Sequence, residues 1–141
     1  MLFFVRPRAA SLHRWVLHFT DFQRIPRMSR DRLFLLEAGF TDDKHPGDAF
    51  VCPDGLPIEG LLASAPEQAA RLEVHRLPFP RPRAAVVAVL DEAHQSLPVL
   101  VFGDEPPAPA DAQSLGALRF VTDTRRILAL LAERHGFPKV H

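Results

Sequence analysis

Cysteine is almost absent from this sequence: Cys52 is the only one in 141 residues. A lone cysteine excludes an intrachain disulfide framework and any metal site built on cysteines. It fits a reducing compartment, so the expected location is cytoplasmic. No apolar run approaches the roughly 20 residues that a membrane-spanning helix requires, and no membrane partner is expected. No G-x-G-x-x-G or other phosphate loop occurs, and His45, His75, His94 and His135 lack metal-ligand spacing, so no metal is expected. There is no recognisable nucleic-acid-binding module either, which leaves nucleic acid outside the expected partners.

What is present describes a soluble globular chain. Hydrophobic residues make up 47% and charged residues 24%, enough apolar material for a packed core and too little charge for disorder. The length fits one compact domain. A formal net charge of zero hides an asymmetry. Residues 1–30 carry six arginines and one aspartate, whereas the remainder is acidic. This basic segment lacks the apolar stretch and small-residue cleavage site of a secretory signal. It reads as an N-terminal extension to a domain spanning residues 31–141: an upstream stretch that is disordered or not native to the domain, with a tail or added helix packed on it, or a targeting segment, as the alternatives.

From Arg32 the pattern becomes regular. RLFLLE, residues 32–37, reads as a buried strand, and the polar loop after it leads to the stretch VCPDGLPIEG. IEGLLASAPEQAARL has Ile58, Leu61 and Leu62 at helical spacing, with Pro66 ending or kinking the helix. LEVHRLPF, residues 72–79, reads as a second strand. In FPRPRAAVVAVLDEAH, Pro82 suits a first helical position, Ala85, Val86, Val89 and Leu90 make an apolar face, and Arg81 and Arg83 read either as a solvated helix start or as a pair favouring an anionic partner, against the helix dipole. LPVLVFG, residues 97–103, is a third strand, DEPPAPADAQSLGA a surface loop, and ALRFVT, residues 117–122, a short fourth strand. TDTRRILALLAERHG closes the domain as a helix with Thr122 as cap and Gly136 as stop. The order is β-α-β-α-β-β-α, an α/β fold with a four-stranded mixed sheet flanked by helices.

Cys52 sits at the entry to the first helix. If Pro53 opens that helix, Cys52 is its cap and its sulfur faces the free N–H groups of Asp54 and Gly55, where the dipole favours a thiolate. Pro57 conflicts with this, because four residues into a helix it would clash with the Pro53 carbonyl. The alternative is a turn over Pro53 to Leu56 with the helix beginning at Pro57. Asp54 also opposes thiolate formation. A reactive thiol and a small buried hydrophobe are both open on these residues.

The element order, the CPDG turn, SLPVLV opening the third strand and VTD before the last helix together resemble the thioredoxin-like superfamily. The branch of glutaredoxins and glutathione transferase N-terminal domains is nearest in pattern. DRLFLLEAGF, CPDGLPIEGLL, FPRPRAAVVAVL and SLPVLV further resemble a bacterial thioredoxin-like family of unassigned function. The resemblance implies Cys52 as nucleophile, within a turn formed by Pro53, Asp54 and Gly55. Gly55 stands where a resolving thiol would be, so the implied chemistry is monothiol, with glutathione or a thiol-containing protein as partner and no tightly bound cofactor. It implies a cis Pro98 with Leu97 offering its backbone to a ligand, and Thr122 and Asp123 gripping the γ-glutamyl end of glutathione. Thr122 and Asp123 can equally be a helix cap and a first-turn acid. The competing expectation is a non-catalytic thioredoxin-fold scaffold or protein-interaction domain.

Overall fold

A computed structural model describes residues 30–141. All of the basic N-terminal extension except Arg30 lies outside the described residues. The elements run β1 (Arg32–Leu36), α1 (Leu56–Ser64), α2 (Pro66–Ala69), β2 (Glu73–Leu77), α3 (Ala84–Val89), β3 (Val99–Val101), β4 (Gln113–Leu115), β5 (Leu118–Val121) and α4 (Thr124–His135). The strands form one sheet in the order β2-β1-β3-β5-β4. Strand β1 pairs with β2 in parallel and with β3 antiparallel. Strand β5 is antiparallel to both β3 and β4. The protein is therefore α/β, with a mixed sheet flanked by helices.

The sheet has five strands rather than the four expected. The extra one, β4, lies in the stretch read as a surface loop. Gln113 and Ser114 are exposed and Leu115 only half-buried, so this edge strand lacks the apolar signature of a buried one. Its hairpin to β5 is closed by Gly116 and Ala117, flanked by the Leu115–Leu118 pair. Gly116 adopts φ 58°, as the first central position of a two-residue hairpin of this kind requires.

Strand β1 reads as an apolar run because helices cover both sheet faces. On one face Leu33 and Leu35 pack with Leu100, Val121, Ile58, Leu61 and Leu62 of α1, and Ile127, Leu128 and Leu131 of α4. On the other, Phe34, Val99, Val101 and Phe120 pack with Val86 of α3. Burying such side chains contributes about 1.5–3 kcal/mol each, which places the core in these two layers.

Several boundaries move for local reasons. Pro66 divides the first helical stretch into α1 and α2, with Ala65 as the junction. Helix α3 starts at Ala84 with Arg83 as its cap residue, so Pro82 precedes the helix instead of opening it. The cap of α4 is Asp123 rather than Thr122: its carboxylate accepts the Arg126 N–H at 2.9 Å. Gly136 ends that helix in the left-handed region at φ 70°, as expected.

At the N-terminal end of β1, Asp31 joins three segments. Its carboxylate accepts the Gly103 N–H (2.9 Å), Arg134 Nε (2.7 Å) and Nη2 (2.9 Å), and His135 Nε2 (2.7 Å). Arg134 also donates to the carbonyls of Pro106 and Pro107 and lies over the Phe102 ring. Burial would raise the Asp31 pKa, but hydrogen bonds from His135, Arg134 and Gly103 outweigh it and hold the carboxyl at about 2.

Candidate functional site

The loop after β1 positions Cys52. Phe40 and Phe50 form an isolated antiparallel bridge, returning the chain to its starting point. The Phe40 ring lies 6.0 Å from that of Phe50 and stacks at 4.5 Å on that of Phe79, which follows β2. Pro53, Asp54 and Gly55 then make a turn before α1. Gly55 is the helix cap residue, and the Leu56 N–H bonds back to the Cys52 carbonyl at 3.0 Å. Pro57 therefore falls at the second helical position, where its missing N–H costs nothing.

The arrangement with Cys52 as helix cap is thus replaced by the alternative, with the helix starting one residue earlier than Pro57. The proline conflict decides it: the chain turns first and enters the helix only where Pro57 is tolerated. Cys52 is half-buried, and no hydrogen bond reaches its sulfur among the described residues. Asp54 is exposed.

Two further segments meet this turn. Thr124 Oγ1, at the first position of α4, donates to the Asp54 carbonyl at 2.9 Å. This bond brings the start of α4, and with it Asp123, alongside the turn. The antiparallel ladder pairs Phe34 with Val99, so one step further places Pro98 level with Leu35. Leu35 in turn packs under the turn, since a Cβ built on Gly55 would lie 3.8 Å from Leu35 Cδ2. The same Cβ would lie 3.6 Å from Cys52 Cβ and 3.8 Å from its Sγ. Position 55 therefore faces the sulfur. The Leu97–Pro98 bond is cis; Pro98 is buried and Leu97 half-buried.

Not every expected site residue converges here. Thr122 lines a cavity of about 190 Å³ together with His94, Ser96 and Gln113. Asp123 lines an adjoining depression that Thr122 and Gln113 share, with Asp111 and Arg126, and its carboxylate is engaged as the α4 cap. Cys52 lines neither cavity.

Arg83 is not among the site residues expected from the sequence. Read as solvated, it is 8% exposed. Its Nε and Nη2 donate to the Phe79 carbonyl at 3.1 and 2.8 Å, and Nη1 donates to the Gln95 carbonyl at 2.8 Å. Its own N–H is accepted by Gln95 Oε1 at 2.8 Å. Burial and then the neighbouring Arg81 charge depress its pKa. No motif announces this, because the partners are main-chain carbonyls of two separate segments. The run of prolines around Arg83, which keeps the chain from starting a helix earlier, is the only hint.

The class defined so far is an α/β protein with a mixed sheet and a half-exposed thiol in the turn before its first helix. More narrowly, residues 30–139 match the family described as protein of unknown function DUF3088, and the chain belongs to it. Neither the curated proteins nor the solved structures yield a match. Among the described residues, no helix is long and apolar enough to cross a membrane, and no group of His, Cys, Asp and Glu could hold a metal ion.

Proposed function

We propose that the protein is a thioredoxin-like, glutaredoxin-related monothiol redox or glutathione-binding protein acting through Cys52. The observation that carries this reading is the convergence on Cys52 of the turn before α1, the start of α4 through the Thr124–Asp54 bond, and the approach to β3 at Pro98. The sheet order, with parallel β1–β2 and antiparallel β1–β3, suits the same reading.

In the proposed cycle the Cys52 thiolate attacks the glutathionyl sulfur of a mixed disulfide. The substrate leaves as a thiolate and Cys52 becomes glutathionylated. With glycine at position 55, no thiol within the turn can resolve that adduct. A second glutathione thiolate attacks instead, regenerating the Cys52 thiolate and releasing glutathione disulfide. Leu97 offers backbone groups beside Pro98 for the peptide part of the ligand, and Asp123 and Thr122 are the expected γ-glutamyl contacts.

The test is incubation of the full chain with glutathione disulfide, followed by mass analysis, beside turnover of a small glutathione mixed disulfide. The expected result is one glutathionyl adduct on Cys52 and turnover that disappears in Cys52→Ser. No adduct, or equal turnover in Cys52→Ser, sinks the redox reading.

A second reading is favoured by the apolar surface at the same turn. Val51 is 47% and Leu56 55% exposed, and both flank Cys52. On this reading the surface docks a protein partner without chemistry, and Cys52→Ser leaves partner binding intact.

A further inference from the structure

The thiol reading leaves unused the cavity of about 190 Å³ beside Phe120. One of its walls is the chain approaching β3. Gln95 turns inward there and holds Arg83 through its side chain and its carbonyl, and its neighbours His94 and Ser96 fall on the cavity side. The sheet supplies the floor and the far wall. Phe120 in β5 and Thr122 just after it are two residues apart and share a face. Gln113 is the cross-strand partner of Phe120 on β4, which puts its side chain on that face as well. Leu90 and Val99 complete the apolar part of the lining.

His94 is held in one orientation. Its Nδ1 lies 2.6 Å from Asp91 Oδ1, and its ring meets that of Phe120 edge-on at 5.4 Å. An ionised carboxylate only accepts, so Nδ1 carries the proton and a neutral imidazole keeps its lone pair on Nε2. The bond from His94 is the main cause of a lowered Asp91 pKa, which keeps that carboxyl ionised. Among the described residues Nε2 has no protein partner, and neither do the side chains of Ser96, Gln113 and Thr122. The lining contains no arginine, lysine or carboxylate, so a charged ligand would meet no countercharge there. A ligand that matches these groups donates a hydrogen bond to Nε2 and exchanges others with two hydroxyls and an amide. Its C–H surface rests on Leu90, Val99 and Phe120.

We propose that this cavity binds a small neutral polyhydroxy molecule, of monosaccharide size or less, with His94 Nε2 accepting from one of its hydroxyls and Asp91 as the positioning residue of His94. Hydroxyls alternating with C–H faces meet both halves of the lining. The volume lies below the roughly 300 Å³ at which pockets for drug-sized ligands begin. The adjoining depression does carry charges, at Asp111, Asp123 and Arg126, but these are engaged with one another or with the α4 cap. Arg126 reaches Asp111 at 2.8 Å, and Asp123 accepts the Arg126 N–H. The inference goes beyond the thiol reading and does not rest on it, since Cys52 does not line the cavity.

The experiment follows the His94 imidazole by nitrogen and proton NMR in the full chain, during titration with glucose and with glycerol. It is run at about pH 8, above the ordinary imidazole value of about 6.5. Inorganic phosphate and glutathione are the charged controls. The expected result is the Nδ1–H tautomer and a His94 shift that saturates with a polyol in the millimolar range. Asp91→Asn, whose amide can donate to Nδ1 and so move the proton to Nε2, should weaken binding about tenfold. Thr122→Val, which removes one hydroxyl and keeps the shape, should weaken it about threefold. The Nε2–H tautomer in the wild type overturns the inference, as does the absence of a saturable shift with both polyols. A His94 response to phosphate or glutathione but not to the polyols overturns it too, and so does unchanged polyol affinity in both variants. If Asp91→Asn does not fold, the wild-type tautomer and Thr122→Val carry the test. Cys52→Ser separates the two readings: it should lose any glutathione adduct and keep the polyol shift.

Discussion

Arg83 and Arg134, two arginines of the described residues with largely covered side chains, lie at opposite ends of β1 and are treated differently. Arg134 lies against Asp31 in a two-point ion pair at 2.7 and 2.9 Å, with its charge cancelled where it is buried. Arg83, at the other end, is hydrogen-bonded equally well but only to carbonyls. The first arrangement closes on itself: carboxylate, guanidinium, imidazole and a backbone N–H leave nothing for a ligand to complete. The second leaves the charge without a carboxylate partner among the described residues. Helix α4 spans both ends, contributing Arg134 and His135 to the closed cluster and Thr124 to the turn carrying Cys52. One end of the domain is closed by an ion pair, and the other holds a buried cation by main-chain carbonyls alone.

The sharpest way to break this comparison is to open the closed end. Asp31→Ala leaves Arg134 buried and unpaired, and is expected to destabilise the fold by about 3–5 kcal/mol. Urea denaturation measures it, and a loss below about 1 kcal/mol would show the pair to be no more than a surface bridge. Activity of whatever kind at Cys52 should survive in the fraction that remains folded.

A gentler version uses protons. The Asp31 carboxyl is held at about 2 in the folded chain against 3.8 for its ordinary value. A depressed carboxylate contributes stability that is fully present above the ordinary value and is lost as pH falls through the folded one. The window is therefore pH 3.8 down to about 2, and the contribution is about 2 kcal/mol. Denaturation midpoints of the wild type and Asp31→Asn should converge across that window. Parallel curves would assign acid sensitivity to other carboxylates.

The two ends also differ in how far the sequence reveals them. The helices and four of the strands announce themselves through apolar spacing, as with Ile58, Leu61 and Leu62, or Ile127, Leu128 and Leu131. Strand β4 does not, because an edge strand with exposed Gln113 and Ser114 carries no burial pattern. The Cys52 turn is legible because Pro53 and Pro57 fix the backbone on either side of the permissive Gly55. Its cap geometry is only half legible, since Pro57 offered two solutions. The closed cluster is invisible beforehand: Asp31 and Arg134 are 103 residues apart, and neither belongs to a motif. Arg83 is hidden for a related reason, as its burial depends on the carbonyls of Phe79 and Gln95, which have no residue identity to read.

A smaller perturbation tests the link between the ends. Thr124→Val removes the hydroxyl that donates to the Asp54 carbonyl while keeping the side-chain shape. The bond is exposed, so the expected loss is about 0.5–1 kcal/mol. Hydrogen exchange should localise it: the Leu56 amide, which closes the turn onto Cys52, exchanges faster, while the Gly103 amide on Asp31 is unaffected. Equal acceleration at both would mean that α4 couples the two ends as one rigid body.

The smallest expected change in stability is also the most informative about the open end. Gly55 has φ −83°, a conformation any residue adopts, and a Cβ there meets its neighbours at ordinary contact distances of 3.6–3.8 Å. Reduced Gly55→Cys should therefore differ from the wild type by no more than about 1 kcal/mol. The new Cβ would lie 3.6 Å from that of Cys52, within the range that a disulfide spans. Under glutathione disulfide the variant is expected to lose both free thiols while remaining monomeric, with the glutathionyl adduct of the wild type replaced by an internal bridge. Two persistent free thiols, or a covalent dimer alone, would contradict the placement of Gly55 opposite the sulfur. Formation of the bridge would instead identify the missing side chain at position 55 as what restricts this turn to a single thiol.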